Sequence, residues 1–428
     1  MKAHSYRTPR RARALACITA ALLGACSSGG SPDAHSSDVA TTLDATSLDA
    51  TGTADTEVDA TRDLDATTID AATPRDVTIH PHDVTPLANP PAWLASRALN
   101  EWFEIPGTAG AGGSAVDIFS GFALRDSTSE IVIAAAGGHG DTYDNRVVSI
   151  RLDADAPMWV MRHAPSAIAM TNVSHYADGL PTSRHIYQSS HVIESLDRVF
   201  LFGARGTYGT SVDFPVVDAF DLTTNEWDPA GTWAPMVTAG YYGALRLRPS
   251  EDVISTGFDR WSASDQTFSM PVTTRASTPV RWPIAHDANR DELLTLQWGD
   301  GQGYETGVHS SRVVFATGVQ TEVTFRPSAA LTTFEAERPA YASMDYDPAN
   351  DHFLFYSGIG AAAGRVYVID ADASDTRDIS LFVYGPRSVT PPPTPDAGVH
   401  NRMRYVPALH GFVLLVNASS NLYFMRTS

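Results

Sequence analysis

The sequence predicts an all-β domain made of four-stranded sheets that repeat around a ring, and two observations predict it. From Trp93 onward, Gly, aromatic and β-branched residues fall in short runs between turn signals, with no long stretch of helical spacing; that is strand patterning. One phrase also recurs: an apolar strand, an Asp- or Pro-rich turn, a second apolar strand ending in Gly, a loop, an aliphatic strand ending in Asp, and a short strand with Trp or Phe. A single sheet of this kind cannot bury both faces, so copies must stack, and closing the stack into a β-propeller removes the free ends.

The clearest copy runs from Arg184 to Trp227. Tyr187 to Ile193 reads as its first strand, Glu194-Ser195-Leu196-Asp197 as the turn, Val199 to Gly203 as the second, Val216 to Leu222 as the third, and Glu226-Trp227 opens the fourth. The first copy carries a glycine pair, Gly137-Gly138, followed by Asn145-Arg146-Val147-Val148 and Trp159. Glycine lets the backbone turn where bulk would meet the next sheet, and the aromatic fills the wedge between sheets. With the Asp221 to Trp227 tail, these features resemble the kelch repeat of the galactose oxidase-like β-propellers. The resemblance is strong in two copies and weak elsewhere.

Second strands are expected to end at Gly138, Gly203, Gly257, Gly299, Gly358 and Val416, and first strands to begin at Phe119, Tyr187, Gly243, Ile284, Tyr341 and Met403. That count gives six blades. The last copy has only three strands before the chain stops at Ser428, and Glu101-Trp102-Phe103-Glu104-Ile105 has no sheet of its own. The expectation is that this N-terminal strand closes the last blade and leaves no exposed sheet edge there.

Residues 1–92 have a different character. Lys2, Arg7, Arg10, Arg11 and Arg13 precede the apolar run Leu15 to Ala25, which is too short to span a bilayer and reads as a secretory signal over residues 1–25. Leu23-Gly24-Ala25-Cys26 resembles the lipobox of bacterial lipoproteins, which implies cleavage before Cys26 and its lipidation. The only other cysteine, Cys17, lies within the signal, so the exported domain has neither thiol nor disulfide and depends on its apolar core. Ser27 after the cysteine implies, by the same resemblance, an outer-membrane lipoprotein.

Residues 26–92 repeat Asp-Ala-Thr phrases and hold 12 acids against 2 arginines. Such a segment lacks the apolar surface to offset ordering and is expected to be a disordered acidic tether, holding the domain about 45 Å from the lipid on average. Residues 93–428 form the propeller domain, with 37 acids against 23 arginines. Nothing is basic enough for nucleic acid, and the membrane is expected as a partner through the lipid anchor only.

The residues just before the first strands should ring the central mouth: Arg184 and His185, Tyr241 and Tyr242, Arg281 and Trp282, Arg338, and His400, Asn401 and Arg402. Arginine forks beside His, Tyr and Trp suit an anionic sugar; equally, such arginines pair with acids of the next sheet and knit the ring. Asp141, Asp144 and Asn145 miss the ordered spacing of calcium loops. No metal and no cofactor is expected. Galactose oxidase chemistry needs a tyrosine joined to cysteine, and no cysteine survives processing.

Two functions stay open. One is a surface-displayed, non-catalytic module that binds a glycan or a protein through the propeller face. The alternative, implied by resemblance to a six-bladed sialic acid epimerase, is an enzyme acting on an anionic sugar with His185 or His400 as acid or base.

Overall fold

The computed structural model describes residues 87–428, apart from 114–115, 117–119, 138–141, 168–172, 206–212, 237–244, 248–252, 256–259, 270–282, 300–306, 315–318, 340, 360–363 and 395–397. The signal segment, Cys26 and the tether up to residue 86 lie outside the described residues.

The described residues form six four-stranded sheets and one two-stranded pair. After β1 (Trp102–Glu104), the first sheet holds β2 (Ala123–Arg125), β3 (Glu130–Ala134), β4 (Val147–Arg151) and β5 (Val160–His163). The second holds β6 (Ser190–Ile193), β7 (Arg198–Arg205), β8 (Asp213–Asp221) and β9 (Glu226–Trp227). The third holds β10 (Leu245–Leu247), β11 (Val253–Ser255), β12 (Arg260–Ser262) and β13 (Thr267–Ser269). The fourth holds β14 (Ile284–Asp287), β15 (Glu292–Gly299), β16 (Gly307–Val314) and β17 (Val319–Glu322).

Next come β18 (Thr324–Phe325) and the helix α1 (Ala329–Glu337). The fifth sheet is β19 (Ser343–Asp347), β20 (His352–Tyr356), β21 (Tyr367–Asp370) and β23 (Ile379–Leu381), while β22 (Thr376–Arg377) pairs in parallel with β18. The sixth takes β24 (Met403–Val406), β25 (Gly411–Leu414), β26 (Tyr423–Arg426) and, as its outermost strand, β1. Every four-stranded sheet is an antiparallel meander, and the first strand of each sheet lies against the first strand of the next from the first sheet to the sixth. The sixth returns to the first through Asn401 Nδ2, which donates to Phe122 O, and through a buried cluster that joins Val413 and Phe424 to Ile131 and Val148. The architecture is an all-β propeller.

Its cores are the wedges between neighbouring sheets. Trp261 of the third sheet lies 4.9 and 5.5 Å from Phe200 and Phe202 of the second, and a separate cluster joins Leu294 and Leu296 to Met344, Phe353 and Phe355. Gly137 is needed for close approach: a Cβ there would meet Ser183 Oγ of the neighbouring sheet at 1.6 Å. Ion pairs lace sheets together, as in Arg125 with Asp197 at 2.7 Å, Arg290 with Asp351 at 2.6 Å and Arg404 with Asp345 at 2.9 Å. Burial pushes Arg404 down to about 10; the Asp345 carboxylate then supplies the charge-assisted bond that keeps a buried guanidinium tolerable.

The strand expected to close the last sheet does so, in antiparallel register Trp102↔Met425, Phe103↔Phe424 and Glu104↔Tyr423. Its outer edge is covered in turn, since Val389 N donates to Trp102 O and Trp102 N to Ser388 Oγ.

Two expectations need correction. First strands begin at Ser190 and Ser343, later than expected, the second-sheet one because the tight turn Ile186–Ser189 occupies the preceding residues; Phe119 and Gly243 lie outside the described residues. Residues 87–92, expected to be disordered, are packed on the domain instead: Leu87 N donates to Ala408 O, Pro91 is buried, and Ala92 N donates to Asp155 Oδ1. Leu87, Pro90 and Pro91 have the apolar surface that the Asp-Ala-Thr phrases lack. Beyond them Trp93 bridges two sheets, its ring 5.3 Å from Phe424 and its Nε1 bonded to Leu152 O and Ala154 O. Trp93→Ala should cost about 3–5 kcal/mol in urea unfolding, whereas Met158→Ala, at a side chain 70% exposed, should change it by less than about 0.5 kcal/mol.

Candidate functional site

The turns that lead into β6, β19 and β24 share an uncommon backbone. Aligned on strand register, Ser190↔Leu201, Met344↔Phe355 and Met403↔Leu414 are equivalent pairs. Each first strand then runs into a left-handed turn residue: Asp197, Asp351 and His410. Ten positions before each of these stand Tyr187 (φ 44), Tyr341 (φ 51) and His400 (φ 40), all left-handed. An L side chain there costs about 1–2 kcal/mol, and tyrosine gains nothing locally to offset it.

These residues converge although they come from three sheets. The His400 ring lies 4.7 Å from Tyr187 and 5.6 Å from Tyr341, in edge-on and tilted contacts. His185 sits 5.4 Å from Tyr187, with its Nδ1 3.0 Å from the phenol oxygen. The backbone packs tightly beneath: His400 N and Val399 N both bond to Tyr341 O, and a Cβ on Gly121 would come within 2.1 Å of Tyr187 O. Gln188 Oε1 accepts from Ile284 N, which ties the second sheet to the fourth. His185, Tyr187 and His400 are buried, and Tyr341 is the half-buried member that solvent reaches.

The arginines behave differently from the expected mouth. Arg184 is 0% exposed; NH1 meets Asp218 Oδ2 at 2.8 Å, and the rest of the fork donates to the carbonyls of Thr182, Gly203 and Ser174. Arg402, also 0% exposed, donates to Val116 O and Gly398 O. Both guanidiniums knit the protein and present no fork to solvent, because carbonyls at the loop ends satisfy them from within. Arg338 is exposed and closes α1 as a left-handed C-cap, its N donating to Phe334 O. A helix thus ends just before the fifth sheet. Tyr241, Tyr242, Arg281 and Trp282 lie outside the described residues.

Of the loop considered for calcium, Asp144 pairs with Arg146 at 2.6 Å, and Asn145 bonds to Ser166 and Pro181 O; Asp141 lies outside the described residues. Sequence reading missed Tyr187 and Tyr341 as site residues by assigning them to strands. The distance of each from its Asp turn was the signal that would have found them.

Asp218, which pairs with Arg184, is a buried titratable group. Burial pushes its carboxyl up, but Arg184 and His175, whose Nε2 lies 2.8 Å from Oδ1, outweigh that and hold it below the ordinary aspartate range. A carboxyl depressed in the folded state stabilises the fold above its unfolded value of about 3.9 and loses that contribution as pH falls through the folded value. Asp218→Asn should therefore cost about 3 kcal/mol at pH 7. In a series of urea melts the gap to wild type should close as pH falls below about 4.

No family model matches the sequence, and no curated protein matches it. Among solved structures the chain is similar to one described as "Structure of YjhT", with 12% identity over 75% of this chain and 94% of that chain and a TM-score of 0.43. A likeness so distant carries no argument about function, and the propeller stands on its own strand pairings.

Proposed function

We propose that the chain is a lipid-tethered, six-bladed propeller displayed at the cell surface, and that it is a non-catalytic module binding a glycan or a protein through the face that carries the turns before the first strands. Six four-stranded sheets with their first strands in sequence around one axis support the blade count. The observation that carries the binding role is the convergence of His185, Tyr187, Tyr341 and His400 from three sheets into one strained cluster. Strain of this kind persists where a side chain has a task, and rigid rings on a closed scaffold are suited to recognition.

The alternative, an enzyme acting on an anionic sugar, draws on the His185–Tyr187 hydrogen bond as a proton path. Against it, Arg184 and Arg402 face inward and supply no clamp for a carboxylate.

Two measurements test the proposal. Full-length protein on glycan and protein arrays should retain a specific partner, and Tyr341→Asp should lose at least ~90% of that signal with little change in melting temperature, because the residue is not fully buried; equal retention by the variant would remove the face from consideration. In cells, Cys26→Ser should abolish incorporation of a labelled fatty acid and shift the protein from the membrane fraction to the soluble one.

A further inference from the structure

We propose that Ser174, His175 and Asp218 form a second site, one that hydrolyses a carboxylic ester with Ser174 as its nucleophile. The site shares no side chain with the ring cluster, so it goes beyond the binding role proposed above, and the cluster itself remains a place of recognition without chemistry.

The sequence builds the site on a short hairpin before β6. Asp178-Gly179 is a turn signal, and Gly179 takes φ 83 with its N bonded to Tyr176 O at 2.9 Å. Two rungs follow, Tyr176 N to Leu180 O at 2.8 Å and Thr182 N to Ser174 O at 3.1 Å, on either side of the His175–Pro181 bridge. Thr182 Oγ1 and Arg184 NH2 also donate to Ser174 O, at 3.2 and 3.3 Å. The backbone of Ser174 is thus pinned, and its hydroxyl oxygen lies 3.0 Å from His175 Nδ1. The other ring nitrogen, Nε2, lies 2.8 Å from Asp218 Oδ1 on β8, while Asp218 Oδ2 meets Arg184 NH1 at 2.8 Å.

A hydroxyl within reach of a base that a third group orients is the arrangement by which proteins activate a serine. Arg184 and His175 hold Asp218 ionised, so its carboxylate only accepts. The ring proton then sits on Nε2, and Nδ1 of the neutral imidazole faces the Ser174 hydroxyl as acceptor. Asp218 is buried, whereas Ser174 and His175 are half-buried residues of a hairpin whose tip, residues 177–179, is exposed. Both rungs use the residues beside His175, whose own N–H is left outside the ladder; it is the N–H that follows the nucleophile, the position from which an oxyanion is met. As Ser174 Oγ bonds to the acyl carbon, its proton passes to Nδ1. Collapse of the adduct expels the alkoxide, which takes that proton and leaves as the alcohol. Water, deprotonated by Nδ1, then attacks the acyl-serine, and Ser174 regains its proton as the acid departs. With a single backbone donor for the oxyanion, the fitting carbonyl is that of an ester, which is more electrophilic than an amide.

The test treats the full chain with a fluorophosphonate, which phosphonylates activated serines, and with p-nitrophenyl acetate. Expected is an adduct that peptide mapping places on Ser174, together with release of nitrophenolate that the phosphonate stops. Ser174→Ala should lose both while melting within about 2 °C of wild type. His175→Gln, which keeps a side chain able to bond to Asp218, should slow labelling at least ~100-fold. A wild-type chain that takes no adduct would overturn the assignment, as would an adduct on another residue or labelling of His175→Gln at the wild-type rate. An adduct on Ser174 without nitrophenolate release would overturn ester hydrolysis. Array binding through the ring cluster is read independently of all these outcomes, so the two readings fail separately.

Discussion

The antiparallel pairing of Trp102–Glu104 with Tyr423–Arg426 is the contact on which the rest of the domain depends. It joins segments more than 300 residues apart, as the bond from Leu422 N to Thr108 Oγ1 across 314 positions shows. Closing a loop of that length costs about 5 kcal/mol of chain entropy, and the few hydrogen bonds of a three-residue strand return only about 1 kcal/mol each. The balance is made up by aromatic burial at the seam, where Trp93, Phe103 and Phe424 lie within 5.3–6.0 Å of one another. Removing that burial would leave the sixth sheet with three strands and an open edge. The first sheet would then lose the neighbour against which Ile131 and Val148 pack.

A closed ring also explains why the candidate site tolerates strain. Tyr187, Tyr341 and His400 are fixed from below by backbone contacts that leave no room for a side chain at Gly121 or Gly398. Next to them in the chain, Arg184 and Arg402 anchor the same turns, with forks that end on carbonyls and on Asp218. Each turn is thus determined by two sheets at once, which is the condition under which an unfavourable backbone angle survives. Buried charge here orients: the Arg184 guanidinium reaches acceptors in two strands and in the loop before them, and sets their spacing even if its net contribution to stability is small.

Much of the fold was legible because it follows from pattern. The Asp-turn between two apolar runs recurs at Asp197 and Asp351, and the unpaired Trp102 segment matched a sheet short of one strand. The site was harder to read. Arg184 and Arg402 have the composition of an anion clamp, and only the three-dimensional position of carbonyls such as Gly203 O and Gly398 O shows that their forks turn inward. Tyr187 and Tyr341 look like strand residues because apolar alternation continues through them; a positive φ leaves no trace in hydrophobicity. The helix α1 escaped sequence reading for a similar reason, since it is a short insertion of nine residues whose cap, Ser328, resembles any loop serine in sequence.

The docking of Leu87 to Trp93 has a mechanical meaning. A pull delivered along the chain from residues before Leu87 arrives first at the Leu87–Ala408 and Ala92–Asp155 bonds and at the indole wedged between Phe424 and Leu152. These grips lie on two different sheets, so the force is divided across the junction and β1 is shielded from being peeled away one residue at a time. Load entering the domain at Leu87 is thereby taken up as shear over several contacts at once.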